Sequence, residues 1–178
     1  AEATKPKCGS VDECRELGDK KFAEEEKAKG LIVKLGEGLR YREERVGTGA
    51  LVGPSDAVEI SFEIQKTNGD YIYSFGRGRA DMNVNGKDDF GETYRVRMGK
   101  HDVPVGVERA MEGMRVGGLR KVELPPWLGF PTSEWRPEPT NFSGQKRMER
   151  FRALLDGNGL QKGYNAAILF EVEVIRVV

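Results

Sequence analysis

Few side chains in this 178-residue chain are of the types that bind metals or attack substrates. His101 is the only histidine, and Cys8 and Cys14 are the only cysteines. A zinc site of the usual four Cys/His ligands therefore cannot be assembled. Cys8 and Cys14 lie six positions apart in a polar N-terminal segment. In an oxidising compartment such a pair can close a disulfide; otherwise it leaves two thiols on a helix. Spacing alone does not decide, because a bridge needs Cα atoms within about 7 Å. The one ligand-like pattern is Asp81-x-Asn83-x-Asn85-Gly86 followed by Glu92. Oxygen ligands at alternate positions, a glycine for the sharp bend and a closing carboxylate are what a calcium loop requires. Yet the flanking residues do not read as helices, and Asp88 sits where such loops carry an apolar residue. A turn-rich polar loop accounts for the same composition. Both readings are open.

The elements that would position any site are easier to read. Val58, Ile60, Phe62 and Ile64 alternate with Glu59, Ser61, Glu63 and Gln65, the period of a strand with one apolar face. Asn68-Gly69 then supplies a hairpin turn into Tyr71-Ile72-Tyr73-Ser74. Tyr94, Val96 and Met98 alternate with arginines, and Ile168, Phe170, Val172 and Val174 alternate with Glu171 and Glu173. Between these strands, Val107, Met111 and Met114 are spaced as the buried stripe of a short helix. One-sided antiparallel strands with a helix across their apolar face predict an α+β domain. Upstream, Ser10 and Glu13 form a capping-box pair opening a charged helix, with a thin apolar stripe of Val11, Cys14, Leu17 and Phe22. Residues 1–35 thus read as an N-terminal helical extension, and residues 36–178 as the domain.

Composition removes several function classes. Lys+Arg and Asp+Glu are balanced at 29 each, without the basic excess of a nucleic-acid binder. No apolar stretch reaches the ~18 residues of a membrane span. At 38% hydrophobic and 33% charged, the chain is expected to hold one modest core with appendages. It opens Ala1-Glu2-Ala3 without methionine, as expected of a processed product or of a chain boundary.

Taken in order, the blocks GLRYREERVGTGA, VEISFEIQKTNGDYIYS, MGKHDVPVGVERAMEGMRVGG, RKVELPPWLGF and ILFEVEVIRVV resemble the FKBP family, the macrolide-binding peptidyl-prolyl isomerases. The resemblance covers about three quarters of the chain, from Gly38 to Val178, and is interrupted by insertions at about 75–92 and 131–162. It implies a twisted antiparallel sheet wrapped around one short helix. It also implies a pocket between the two that receives a substrate proline.

At the positions that line this pocket in the family, Val103 and Phe170 stand where the family has the same residues. Tyr94 replaces a phenylalanine and keeps the ring. Phe62 and Phe130 replace tyrosines and lose both hydroxyls. The hairpin strand, Phe-Asp-Ser in the family, is Ile72-Tyr73-Ser74, so the aspartate tied to binding and turnover is absent. Val107 replaces the tryptophan of the pocket floor. Pro104 replaces an isoleucine whose N–H holds ligand, and proline has no such donor. Each lost interaction is worth about 1–3 kcal/mol where a buried partner is left unpaired. The pocket is expected to be degenerate.

Two functions follow from the resemblance. One is a weakly active peptidyl-prolyl isomerase acting on proline-containing peptides or proteins, with no cofactor. The other is a non-catalytic binding or assembly subunit that keeps the fold as a scaffold within a larger complex; the resemblance implies a photosynthetic membrane complex as that partner. In the second insertion a helix is expected over residues 143–157, with Met148, Phe151 and Leu155 on one face. It presents a solvated basic face, or docks a partner anchored by Trp135 and Phe151, or folds these back to occlude the pocket; the N-terminal helix is the other element a partner could engage. Divergent pockets, short N-terminal extensions and removed leaders are similar to those of FKBPs of the chloroplast thylakoid lumen, the location this resemblance implies.

Overall fold

The structure is a computed structural model that describes residues 9–28, 30–77, 93–129, 136–139, 142–155 and 167–178. It divides into two units, Ala1–Leu31 and Ile32–Val178. In the first, helix α1 runs Val11–Ala28. The Ser10 hydroxyl accepts the Glu13 N–H at 3.2 Å, and the Glu13 carboxylate reaches back to the Gly9 N–H at 2.8 Å. The predicted capping box thus forms, with its return bond one residue upstream. Val11 is 81% exposed, as so thin an apolar stripe leads one to expect. Cys14 is disulfide-bonded. The chain's other cysteine, Cys8, lies outside the described residues.

The second unit is built on a seven-stranded antiparallel sheet. Its strands are β1 (Ile32–Gly36), β2 (Leu39–Arg45), β3 (Ala57–Lys66), β4 (Tyr71–Phe75), β5 (Tyr94–Arg97), β6 (Leu119–Leu124) and β7 (Ile168–Val177). Their spatial order is β1-β2-β6-β7-β3-β4, with β5 also paired to β3. Helices α2 (Val105–Met111) and α3 (Phe142–Leu155) and a 3-10 turn at Pro126–Leu128 complete it. The α+β class read from the strand periods is what the chain adopts. Two boundaries differ. Residues 32–35, read as the end of the extension, form β1 of the sheet together with Gly36. Phe75, read as the start of the first insertion, closes β4 opposite Phe62.

Strand β3 lies at the centre, and its alternation explains the core. Val58, Ile60, Phe62 and Ile64 are all fully buried. Ser61, Glu63 and Gln65 on the other face are also more than nine-tenths buried, which alternation did not anticipate. The cause is position: β3 is flanked by β7 on one side and by β4 and β5 on the other. The Gln65 amide donates to Glu63 at 2.5 Å, and Arg77 pairs with Glu171 and Glu173 from the adjacent β7. The turn into β4 forms as read, with the Gly69 N–H donating to the Lys66 carbonyl and Gly69 at φ 91°, where a side chain would be strained.

Helix α2 is held on the sheet by its small residues and its ends. A Cβ on Gly106 would lie 2.5 Å from Leu124 Cδ2 and 3.1 Å from the Leu128 carbonyl oxygen, so any larger residue would push the Leu124 side chain aside and crowd that carbonyl. At the other end, the buried Arg120 guanidinium donates to the carbonyls of Ala110 (2.6 Å) and Glu112 (3.1 Å) and pairs with Glu43 at 2.7 Å. It thereby satisfies carbonyls that the helix end leaves open.

Candidate functional site

The rings predicted to line the pocket gather around Phe62. Strand β3 presents Phe62, β7 presents Phe170, β4 presents Tyr73 and Phe75, and β5 presents Tyr94. Phe62 stacks on Phe170 at 5.0 Å and on Phe75 at 6.0 Å between centroids. It meets Tyr73 edge-on at 5.8 Å and Tyr94 at 6.0 Å. Tyr94 in turn meets Phe75 at 5.6 Å. Such pairs contribute roughly 0.5–1.5 kcal/mol each beyond their burial. The cluster exists because strand partners place alternate residues on one face: Phe62 lies opposite Phe75 and Val172, and Ile64 opposite Tyr73 and Phe170.

The segment leading into α2 closes another side. Asp102, itself buried, accepts the Arg97 N–H at 3.0 Å and two guanidinium N–H groups at 2.8 and 3.0 Å. Hydrogen bonding from Arg97 holds the Asp102 carboxyl below its ordinary range, against the opposing effect of burial. The Tyr94 hydroxyl donates to the Asp102 carbonyl at 2.8 Å, and burial pushes that phenol above its ordinary value. Buried Glu108 accepts the His101 N–H at 2.9 Å. These contacts fix the positions of Val103 and Pro104, which lead into the helix. The Pro104 carbonyl accepts N–H groups of Val107 and Glu108 at 2.9 and 3.1 Å.

Of the nine sequence-predicted pocket residues, the structure brings Phe62, Tyr73, Tyr94 and Phe170 into ring contact. Ile72, Val103 and Val107 join them in the one buried core cluster, and Pro104 caps α2. Ile72 sits at an irregularity of the β3–β4 pairing, and its carbonyl accepts the Arg147 Nε–H from α3 at 2.8 Å. Phe130, Trp135 and the calcium-like loop with Asp81, Asn83, Asn85 and Glu92 lie outside the described residues. Phe75 belongs to the ring cluster and was missed; its place two residues after Tyr73 on β4 was the signal. The Asp102 and Glu108 contacts were missed because polar residues in a loop and a short helix carry no periodic signature.

What the cluster offers to a substrate is limited by burial. Phe62, Ile72, Tyr73, Val107 and Phe170 have no exposed surface, and Val103 is 1% exposed. Among the described ring residues predicted from sequence, only Tyr94, half-buried, reaches solvent. The fully buried Tyr73 stands where the resemblance would place a carboxylate. Tyr73 carries no carboxylate and Pro104 no N–H donor, so the described pocket positions contribute chiefly aromatic rings.

A family model described as FKBP-type peptidyl-prolyl cis-trans isomerase matches residues 52–175. The peptidyl-prolyl cis-trans isomerase FKBP19, chloroplastic, of Arabidopsis thaliana is 31% identical over 144 residues, which cover 79% of this chain and 54% of that protein. FKBP16-1, chloroplastic, of the same plant is 27% identical over 148 residues, covering 82% of this chain and 60% of that protein. The chain therefore spans between half and three-fifths of the length of these curated relatives. Among solved structures, AtFKBP13 superposes with a TM-score of 0.53 at 17% identity, over 83% of this chain and 99% of that one. This last likeness is one of fold.

Proposed function

Because the chain belongs to the family of FKBP-type peptidyl-prolyl cis-trans isomerases, we propose that it is a chloroplast member of low isomerase activity, its prolyl pocket closed by its own rings. Rotation about an Xaa-Pro bond is opposed by amide resonance, a barrier of ~18–20 kcal/mol. A catalyst of this reaction needs no cofactor or nucleophile; it must hold the twisted amide better than the planar one. That requires a proline ring seated among the aromatic side chains. The observation that supports the reading is the complete burial of Tyr73 against Phe62, at the position where the resemblance would put a carboxylate.

The substrates would be proline-containing segments of proteins, met near Tyr94. The names of the curated relatives support a chloroplast location, and the disulfide at Cys14 is compatible with an oxidising compartment such as the thylakoid lumen. A second reading, a scaffold that binds without turnover, is favoured by α3. This helix lies beside β4 with Arg147 stacked 5.2 Å over the Tyr71 ring, and Phe142 is 73% exposed. A membrane-bound assembly is the partner this second reading would take, through the 131–162 insertion or the N-terminal helix.

Catalysed cis/trans exchange on a short Xaa-Pro peptide, followed by NMR, tests the proposal. The expected result is a small enhancement at high protein concentration. Enhancement comparable with an open-pocket family member refutes closure. None at all, with the peptide still bound, supports the scaffold reading instead.

A further inference from the structure

Strand β1 is the outermost strand of the sheet, paired on one side with β2. All five of its residues are exposed, and Ile32, Val33 and Leu35 keep 38–47% of their surface. The free backbone edge of such a strand is a template for another strand. Proteins often blunt such edges with charge, and here the charge is distributed in a telling way. Lys34 lies directly opposite Arg40, a like-charge pair that destabilises a sheet unless each cation is answered. Arg40 is answered from the inner side, with Nε 2.6 Å and an Nη 2.9 Å from the Glu123 carboxylate on β6. Lys34 has no ion pair among the described residues. Arg42 and Lys121 occupy neighbouring register positions on the same face, and Lys121 pairs inward with Glu171 at 3.7 Å. The acids paired with Arg40 and Lys121 lie on the inner side, on β6 and β7, and among the described residues Lys34 at the outer end has none.

We propose that β1 is a docking edge for an extended segment of a partner protein. The segment would add as a further strand, with an acidic residue on the face of Lys34 and apolar residues on the face of Val33. Backbone hydrogen bonds would supply affinity, and the alternating side chains specificity. The same lysine argues against a second copy as occupant, because β1 contains no acid to meet it. Selection of an acidic strand and rejection of self-pairing are thus one device.

A synthetic peptide alternating valine and glutamate, titrated into isotope-labelled protein and followed by amide NMR, tests this. Shifts and slowed amide exchange are expected at Ile32–Gly36 and along β2. A valine–lysine peptide should bind about fivefold more weakly, from the loss of one cross-strand charge pair. Lys34→Glu, at an exposed position, should reverse that preference and leave the remaining spectrum unchanged. Three results overturn the proposal: equal binding of the two peptides, shifts away from β1, or no binding of either. Concentration-dependent self-association that protects the β1 amides overturns it as well, by making a second copy the occupant.

Discussion

Tyr73→Ala is the substitution that separates a closed pocket from an ordinary core. Tyr73 is fully buried and meets Phe62 edge-on at 5.8 Å. Truncating a buried aromatic ring to alanine costs about 3–5 kcal/mol, of which the edge-to-face pair accounts for roughly 0.5–1.5. Against a total of about 5–15 kcal/mol the fold survives but is weakened. At roughly 2–4 °C per kcal/mol, the melting temperature should fall by about 6–20 °C. The space opened lies beside Phe62, where a proline ring could enter. A ligand present at ten times its Kd adds about 1.4 kcal/mol to stability, so a proline-containing peptide should return about 3–6 °C to the variant and little to the parent protein. Leu39→Ala, a cavity of comparable cost on β2 away from the rings, should show no such recovery. Exchange NMR on the same samples should show faster catalysis by Tyr73→Ala than by the parent. If Tyr73→Ala is destabilised but neither recovers with peptide nor speeds exchange, Tyr73 is a packing residue and the closed-pocket reasoning is refuted.

Two further perturbations bear on the scaffold around the rings. The Asp102 carboxyl is held below its ordinary value near 3.9, chiefly by Arg97. Its contribution to stability is therefore complete above that value and lost as pH falls through the lower folded-state value. Asp102→Asn should flatten the fall in melting temperature between about pH 5 and pH 2; an unchanged acid profile refutes the assignment. Arg120→Met should cost about 3 kcal/mol in chemical denaturation, because it strips the donors from Ala110 and Glu112 and leaves Glu43 without its guanidinium. A cost below about 1 kcal/mol would mean that water replaces those donors.

The parts of this fold that repeat with a period were legible in the sequence. Alternation placed Val58, Ile60, Phe62 and Ile64 in the core, Asn68-Gly69 marked the hairpin, and Val107 and Met111 marked the helix over the sheet. The illegible parts depend on pairing between distant residues. Nothing in the neighbourhood of Arg120 says that it will reach the carbonyls at the end of α2 and a glutamate 77 positions away. Strand β1 has few residues and no buried face, so it gives no alternation to detect. The polar face of β3 read as solvent-facing because alternation reports only that two faces differ. It does not report that neighbouring strands and Arg77 will cover the second one. At the site, residue type told which rings would be present; only the register of β4 against β3 told that Tyr73 would point among them.

That register suggests a reason why several pocket positions differ at once. Compared with the family pattern, the helix has given up a large ring at Val107 and the strand has gained one at Tyr73. A lone exchange of tryptophan for valine in a packed core leaves a cavity, at a cost that grows with the empty volume. A lone exchange of aspartate for tyrosine adds a ring to a site already filled, which is costly in the opposite sense. Made together, the two exchanges roughly conserve volume while moving the aromatic ring from helix to strand. Val107 and Tyr73 belong to the one buried cluster, and neither retains exposed surface. We read them as a single rearrangement. Decay of an unused active site would leave gaps and unpaired polar atoms, whereas this cluster is filled with rings. The loop beside it is tied down by Tyr94, Asp102 and Arg97. On the proposed reading, closure is a stabilised state of the fold, and turnover would require Tyr73 to leave its place against Phe62.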